Sequence, residues 1–213
     1  MLDSSDDAAR AIADVLLEFI NALTRHAVAR YGVYDDDGAK SDLFGVRLAA
    51  VGKRHRADVG AYCDEIFASL RRDVARGVCT SVGVVFRRAN AAFDAYRFDV
   101  EVATRASGTP SAAAKRDARD ALAATATKFV FVADEGARKA RRTSGGRVEF
   151  EIVAEATSED APEGWRATAT SDVDGERDGA CEVLGESAVR EEIKRVVVED
   201  AFEMVLSRVV RAE

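Results

Sequence analysis

The hydrophobic pattern of this chain changes from a helical period to a strand period, and that change most constrains its fold. Between Ile12 and Leu23, apolar side chains recur every three or four residues, as on one side of an amphipathic helix. Between Tyr96 and Val102, apolar and charged residues alternate strictly, as in a strand with one buried face. A chain with both patterns is expected to pack helices on one face of a sheet, which is an α+β fold.

Glycines divide the first part of the chain into predicted elements. Gly32 and Gly77 stand where helices end, because glycine readily adopts the left-handed conformation of a C-terminal cap. The predicted elements are helices at 5–31, 57–76 and about 111–128, a hairpin of strands at 81–86 and 96–102, and a strand at 146–156. Residues 189–210 fit an amphipathic helix by spacing and a strand by their β-branched cluster, and periodicity leaves both open.

Composition argues against several classes of function. The chain has 213 residues, is 47% hydrophobic and 32% charged, and fits one domain with a sizeable core. Its net charge of −7 argues against a DNA-coating surface, so we expect no direct sequence-specific nucleic-acid binding. We expect no membrane span, because no apolar stretch approaches the required length. The acidic N-terminus has the wrong sign for a leader peptide and predicts an intracellular protein.

Residues that carry catalysis or bind metals are sparse. His26 is expected on the surface of the first helix and His55 in a basic cluster, and neither has a ligand partner at a suitable spacing. Cys63, Cys79 and Cys181 are far apart, which favours buried thiols over disulfides or a zinc site. Glycine-rich phosphate loops and nucleophile motifs are absent from the sequence. We therefore expect a binding module that is not an enzyme and needs no metal or cofactor.

Two further segments invite a functional hypothesis. Residues 138–142, RKARR, suit a nuclear-import signal or a phosphate-binding patch, although we favour a basic surface loop between two elements. The only tryptophan, Trp165, lies between Glu155 and Glu182, where nine acidic residues and two arginines indicate an exposed segment. Trp165 therefore either folds back onto the core or anchors a partner.

Several stretches, taken together, resemble the HORMA domain family over nearly the whole chain. ARYGVYD (29–35) is similar to the signature that ends the family's first helix, with Asp35 in place of proline. VGVVFRRANAAFDAYRFDVEV (82–102) is similar to its paired strands, and PEGW (162–165) with 189–210 resembles its C-terminal segment. The resemblance implies a HORMA fold with three helices on an antiparallel sheet. It also implies a single domain over 1–213, with a core at about 5–156 and a C-terminal safety belt at about 157–213.

The resemblance also implies a way of binding. HORMA proteins close the belt over an extended partner peptide, which itself adds to the sheet as a strand. The implied peptide-binding residues are Tyr62, Phe150, Ile152 and Trp165. The same resemblance assigns 189–210 to belt strand rather than helix.

Within the family, IADVLLEFI (12–20) and AYCDEIF (61–67) are most similar to the non-catalytic HORMA subunit of translesion DNA polymerase zeta. The implied function is an adaptor that clamps a peptide of the catalytic subunit and bridges factors of DNA damage tolerance. It implies location in the nucleus, with the cytoplasm as a second compartment, and remodelling by an AAA+ ATPase. The implied second face, with Ile193, Val205 and Ser207, would bind the deoxycytidyl-transferase scaffold protein. The family has Gln and Tyr near Val205 and Ser207, so this face is in question or its partner differs.

Three alternatives remain. PEGW and the Val-Arg that opens the last segment look more like the spindle-checkpoint HORMA protein, which captures a motif of an anaphase-promoting-complex activator. A meiotic chromosome-axis HORMA protein is the second, although such proteins usually carry further domains and a closure motif, whereas this chain ends close to its belt. The third is a small enzyme whose site is built from scattered carboxylates.

Overall fold

The structure is a computed structural model that describes residues 4–34, 38–103, 112–142, 146–156, 188–198 and 201–211. Three helices and seven strands lie within these residues. In chain order they are α1 (Ser4–Arg30), β1 (Lys40–Leu43), β2 (Val46–Ala49), α2 (Lys53–Ala75), β3 (Cys79–Arg88), β4 (Ala91–Val102), α3 (Ala112–Arg142), β5 (Val148–Ala156), β6 (Ala188–Val198) and β7 (Phe202–Arg211). The predicted α+β plan, with three helices and an antiparallel sheet, is confirmed.

The main sheet has five antiparallel strands in the order β5-β3-β4-β7-β6. The predicted β3–β4 hairpin is confirmed, with Val84 opposite Tyr96. Strand β7 pairs with the other side of β4, and β6 pairs with the outer side of β7. The chain therefore leaves the sheet at one edge, after β5, and returns at the opposite edge with β6. A separate two-stranded sheet contains β1 and β2.

One face of the main sheet is covered by the helices and forms the core. The ring of Phe129 on α3 packs against Tyr96 and Phe98 of β4, with ring centroids 4.9 and 6.1 Å away. Helix α1 packs against both α2 and α3. Its fully buried residues follow the predicted stripe and include Leu16, Phe19, Ile20 and Leu23. No helix in the described ranges is long and apolar enough to cross a membrane.

Glycines end the first two helices, as predicted. Gly32 and Gly77 both have a φ of 68°. After α2, the amide of Val78 donates to the carbonyl of Asp73 at 2.8 Å, and the amide of Gly77 donates to that of Val74 at 3.1 Å. These two bonds define a Schellman cap, in which Gly77 adopts the left-handed conformation.

Helix α3 is longer than predicted. It continues to Arg142, so the predicted end near 128 was wrong, and so was the interpretation of 138–142 as a loop. Its buried face continues through Phe129, Ala133, Ala137 and Ala140, which are small or spaced by three to four residues and give a weak hydrophobic signal. The basic residues of the last turn suit the negative end of the helix dipole.

The C-terminal segment is extended rather than helical. Residues 188–198 and 202–211 form the two strands of a hairpin. The helix alternative for 189–210 was wrong, and the strand implied by the resemblance is present as two strands. Strand β7 lies between β4 and β6 and makes main-chain hydrogen bonds with both. This pairing decides for strand where the hydrophobic period of the sequence is ambiguous.

The small β1–β2 hairpin was not predicted. Its turn places Phe44 and Gly45 at φ values of 53° and 83°, which is the arrangement of a two-residue type I′ turn. The Asp42 carboxylate accepts a hydrogen bond from the Gly45 amide at 3.0 Å. Phenylalanine is unusual at a positive φ, so the residue pair carried little turn signal.

His26 is buried, which corrects its predicted place on the helix surface. Its side chain is 2% exposed, between α1, β2 and α3. Nδ1 accepts a hydrogen bond from the Ala49 amide at 2.8 Å, and Nε2 lies 3.9 Å from the Asp134 carboxylate. Burial lowers the pKa of His26 to about 4, against the opposing charge of Asp134. The histidine is therefore neutral in the folded protein near pH 7.

We predict an acid-dependent loss of stability that requires His26. Its pKa is about 4 in the fold and 6.5 ordinarily, so its contribution is complete above pH 6.5 and disappears as the pH falls towards 4. The loss is roughly 3 kcal/mol over that window. Urea unfolding of the parent and His26→Gln across this window checks it, with His55→Gln as the control. Equal pH slopes for the parent and His26→Gln would contradict the prediction.

A buried polar cluster lies where α1, α3, β4 and β7 meet. The Tyr31 hydroxyl donates to the Asp94 carboxylate and lies 2.9 Å from the Tyr96 hydroxyl. Arg208 of β7 donates two hydrogen bonds to Asp94. A Cβ added at Gly136 of α3 would lie against the Tyr31 hydroxyl and within 2.8 Å of the Arg208 guanidinium. Glycine at this position therefore lets α3 approach the cluster.

We predict that Gly136→Ala destabilises the protein, against the usual preference of helices for alanine. Overpacking of a filled site costs about 1–3 kcal/mol. Gly60 of α2 is the matched control, because a Cβ there meets only the end of the Arg25 side chain at 3.8 Å. Gly60→Ala is expected to raise the free energy of unfolding by up to about 1 kcal/mol. Denaturant unfolding of both variants measures these changes. A stabilised Gly136→Ala protein would show that the polar cluster rearranges to accommodate the added methyl group.

Candidate functional site

The outer edge of β5 is the first component of the candidate site. In the described residues, β5 pairs only with β3, so its other side carries no strand. The main-chain amide of Ile152 faces the Tyr62 hydroxyl and lowers the pKa of that group, so it points away from β3. Main-chain groups alternate in direction along a strand, so Phe150 and Ala154 also direct their N–H and C=O groups outwards. An extended peptide can pair with these groups.

A cleft of about 520 Å³ runs beside this edge. Its lining residues come from the end of α1, from α2 and from the start of β5, and they are Val33, Tyr34, Asp58, Val59, Tyr62, Arg147, Val148, Glu149 and Phe150. Val59 and Tyr62 are one helical turn apart, so both face the strand. The cleft therefore offers an apolar floor with charged residues around it, beside main-chain groups that pair with no strand in the described residues.

Tyr62 and Phe150 form an aromatic pair across the cleft. Their ring centroids are 5.7 Å apart and the rings are nearly perpendicular, at 86°. The side chain of Tyr62 is large and mostly apolar, yet it is 42% exposed. Partial burial and the neighbouring Cys63 raise the pKa of its hydroxyl, and the nearby Ile152 amide counters this. The hydroxyl is therefore protonated at neutral pH and can donate as well as accept a hydrogen bond.

The opposite edge of the sheet is protected. Strand β6 contains Arg190, Glu191, Glu192, Lys194 and Arg195 in six consecutive residues, and its register shifts between Glu192 and Lys194. The Lys128 ammonium group of α3 donates to the carbonyl of Ile193 at this bulge. Charges and bulges are the usual devices that stop an edge strand from pairing. Of the two edges, β5 is the less protected in the described residues.

Ion pairs anchor β5 on the sheet face opposite the helices. Arg87 of β3 donates to Glu151 at 2.9 Å, and Arg97 of β4 donates to Glu155 at 2.7 Å. Arg97 also bonds Asp99, which pairs in turn with Arg190 of β6. The pairs that involve Arg97 and Asp99 cross the sheet from β5 to β6, while the outer edge of β5 carries no strand in the described residues.

The structure brings together three of the four predicted peptide-binding residues. Tyr62, Phe150 and Ile152 lie at the edge of β5, while Trp165 lies outside the described residues. Sequence reasoning did not single out Tyr34 and Val59 as site residues. Val59 lies within the predicted second helix, and its three-residue spacing from Tyr62 was the available signal.

Comparisons with known proteins identify the fold. No protein-family model matches the sequence, and no curated protein matches it significantly. The crystal structure of the mitotic checkpoint complex contains a similar chain, with 12% identity and a TM-score of 0.70 over 96% of this chain and 97% of that one. HTP-2 bound to HTP-3 motif-6 has 8% identity and a TM-score of 0.62, covering 94% and 90% of the two chains. C. elegans HTP-1 bound to a HIM-3 closure motif has 10% identity and a TM-score of 0.58, covering 94% and 91%.

The chain has the HORMA fold. Identities this low show the fold alone, so the function needs separate support. In this HORMA fold, the candidate site lies on the strand that precedes residues 157–187, and the C-terminal hairpin lies at the far edge.

The predicted second face of the HORMA fold is divided between two sides of the sheet. Ile193 lies at the β6 bulge and packs against the main core. Val205 and Ser207 lie on the side of β7 that faces away from the helices, and the Ser207 hydroxyl accepts a hydrogen bond from Arg190 at 3.0 Å. Ser207 is fully buried, so a partner of this structure can reach Ile193 and Val205 only from different sides of the sheet and cannot reach Ser207. Their role in binding stays a prediction.

Groups for metal binding or nucleophilic chemistry do not converge in the described part of this HORMA fold. Among those residues, no three His, Cys, Asp or Glu side chains are placed to hold a metal ion. Cys63 and Cys79 are free and buried, as predicted, whereas Cys181 lies outside the described ranges. Burial raises the pKa of Cys63 to about 11 and that of Cys79 to about 12, so both thiols stay protonated at neutral pH.

We predict that proline destabilises the protein at one of two neighbouring positions of β5 and is tolerated at the other. Ala154 has an outward amide, so Ala154→Pro should leave the free energy of unfolding within about 1 kcal/mol of the parent value. Val153 donates into the β3 ladder, so Val153→Pro should cost about 3 kcal/mol or more. Denaturant unfolding followed by circular dichroism measures both. Equal losses would show that the outer edge of β5 has been assigned to the wrong amides.

Proposed function

We propose that this protein is a non-catalytic adaptor that captures an extended peptide of a partner protein along the outer edge of β5. The observation that carries the proposal is the outward amide of Ile152 beside the Tyr62–Phe150 cleft, on the unprotected edge of the sheet. Main-chain pairing supplies affinity and the cleft selects side chains. HTP-2 and HTP-1, which share the fold, are bound to short motifs of other proteins, which supports this mode.

The topology gives this capture a second component. Strands β5 and β6 are at opposite edges, so residues 157–187 connect the two edges. The resemblance implies that this connection closes over the bound peptide as a safety belt and that Trp165 packs beside the peptide. Both statements belong to the proposal, because these residues lie outside the described ranges.

For the partner, we propose a segment of the catalytic subunit of DNA polymerase zeta. The support is the likeness of 12–20 and 61–67 to the accessory subunit of that polymerase. In this role the protein works in the nucleus, bridges the catalytic subunit to the deoxycytidyl-transferase scaffold and is reopened by an AAA+ ATPase. The second candidate partner is a checkpoint activator. It is favoured by the TM-score of 0.70 against a chain of the mitotic checkpoint complex.

Co-expression with each candidate ligand tests the proposal. A fragment of the polymerase catalytic subunit and a fragment of the checkpoint activator are each co-expressed with the full chain and analysed by size-exclusion chromatography. We expect the polymerase fragment to co-elute. Co-elution of the checkpoint fragment alone would assign the protein to mitotic surveillance, and co-elution of neither would contradict both partner assignments.

Variants of the same experiment test the site. Replacing Tyr62 by alanine removes the ring contact with Phe150 and should weaken capture about 10-fold or more, as for an aromatic anchor. Trp165→Ala should have a similar effect if the belt proposal is correct. Phe131→Ala is the matched control, because Phe131 is a 70% exposed aromatic residue on α3, outside the cleft. Titration calorimetry measures the affinities, and unchanged binding by Tyr62→Ala would exclude the cleft.

A further inference from the structure

One charged side chain of the C-terminal hairpin enters the buried core. Arg208 stands near the C-terminal end of β7, opposite Tyr96 of β4. Its Nε and Nη2 groups donate to the two carboxylate oxygens of Asp94, at 3.0 and 2.6 Å. The two side chains are 10% and 4% exposed. Such a two-pronged contact fixes both the register and the orientation of β7 on β4.

Asp94 is held from the other side by the helical layer. The Tyr31 hydroxyl, at the end of α1, donates to Asp94 and is itself hydrogen-bonded to Tyr96. Burial lowers the pKa of Arg208, but the hydrogen bonds and the charge of Asp94 outweigh it and raise the pKa overall. Arg208 is therefore charged in the core. Of the ion pairs in the described ranges, this is the only one in which both residues are buried.

Other polar side-chain contacts of the hairpin are more exposed. Arg190 pairs with Asp99 on the opposite face of the sheet, where the two side chains are 35% and 26% exposed. Arg195 pairs with Glu203 within the hairpin itself, and these side chains are 56% and 35% exposed. Solvent-exposed pairs contribute little, because water screens them and the side chains lose freedom. The Arg208–Asp94 pair differs from both because its two side chains are shielded from water.

We infer that the Arg208–Asp94 pair is a latch that holds the β6–β7 hairpin on β4 and sets the rate at which the hairpin leaves the sheet. Detachment leaves the Asp94 charge inside the fold with the Tyr31 hydroxyl as its described partner, and an uncompensated buried charge is costly. Main-chain bonds of β7 can be exchanged for water, but the guanidinium contact cannot be replaced so simply. The pair therefore adds a barrier specific to the hairpin.

The latch also bears on the proposed function, and this step rests on it. Residues 157–187 join β5 to β6, so a peptide enclosed between that connection and the sheet is released when the hairpin end comes away. The lifetime of the captured peptide is then governed from the far side of the sheet by Arg208. A remodelling partner would need to break this pair.

Amide hydrogen exchange of the full chain, without any peptide, tests the latch itself. In Arg208→Met, we expect the amides of β6 and β7 to exchange on the order of 100-fold faster, while those of α1 and β3 change little. Arg195→Met is the matched control on the same hairpin, and its exchange rates should stay close to those of the parent. If Arg208→Met does not fold, Arg208→Lys keeps the charge without the two-pronged contact and should accelerate hairpin exchange to a smaller degree.

The double variant Asp94→Asn with Arg208→Met separates a latch from general damage. With neither charge present, the hairpin should exchange more slowly than in Arg208→Met alone, because no bare carboxylate remains buried. Unchanged hairpin exchange in Arg208→Met, or equal acceleration across α1, β3 and the hairpin, would overturn the latch. Peptide dissociation is measured separately. Faster hairpin exchange with an unchanged peptide off-rate would keep the latch and refute its link to capture, whereas absence of peptide binding by the parent would refute only the proposed function.

Discussion

The pairing of β7 with β4 is the constraint on which the rest of the arrangement depends. The β3–β4 hairpin offers two sides to the remaining strands, and β7 takes one while β5 takes the other. Because β6 extends the sheet beyond β7, the connection from β5 must reach the far edge. The same strands placed on the other side would pair with β5 and close the edge that is proposed to accept a ligand. Whether the outer side of β5 is left without a strand is therefore decided by where the C-terminal hairpin docks.

Apolar burial and polar contacts have different roles in holding this strand order. On the helical face, rings such as Phe129, Tyr96 and Phe98 exclude water, and burial of apolar surface stabilises the fold without specifying one register. The register of the strands is specified by polar contacts that form in only one alignment of β7 on β4. Arg208 reaches Asp94 only when β7 is in its observed register, and a slip of one residue would turn it to the other face. The buried pair thus specifies the arrangement more than it adds to stability.

The sequence predicted elements with a strong period and missed contacts that join distant segments. Helices α1 and α2 and the β3–β4 hairpin follow from apolar spacing and from Gly32 and Gly77. The end of α3 was missed because alanines carry its buried face, and the β1–β2 turn was missed because Phe44 occupies a conformation that phenylalanine rarely adopts. Asp94 and Arg208 are 114 residues apart, and each looks like an ordinary charged residue of a strand. Tyr62 and Phe150 were named through the resemblance, since no local pattern links a helix residue to a strand so far along the chain.

An open strand edge is a liability, and Tyr62 shows how this fold manages it. Its hydroxyl faces the outward Ile152 amide, so one polar group of β5 has a polar neighbour although no partner strand lies beside it in the described structure. A peptide that docked as proposed would offer that amide its own carbonyl in place of the hydroxyl, and such an exchange contributes little net free energy. The gain must come from the rest of the pairing and from apolar side chains that enter the cleft beside Phe150. Under the proposed function, a peptide that is long enough to pair along β5 and carries an apolar residue for the cleft is favoured over a short polar one, so selectivity follows from the geometry of this edge and its cleft.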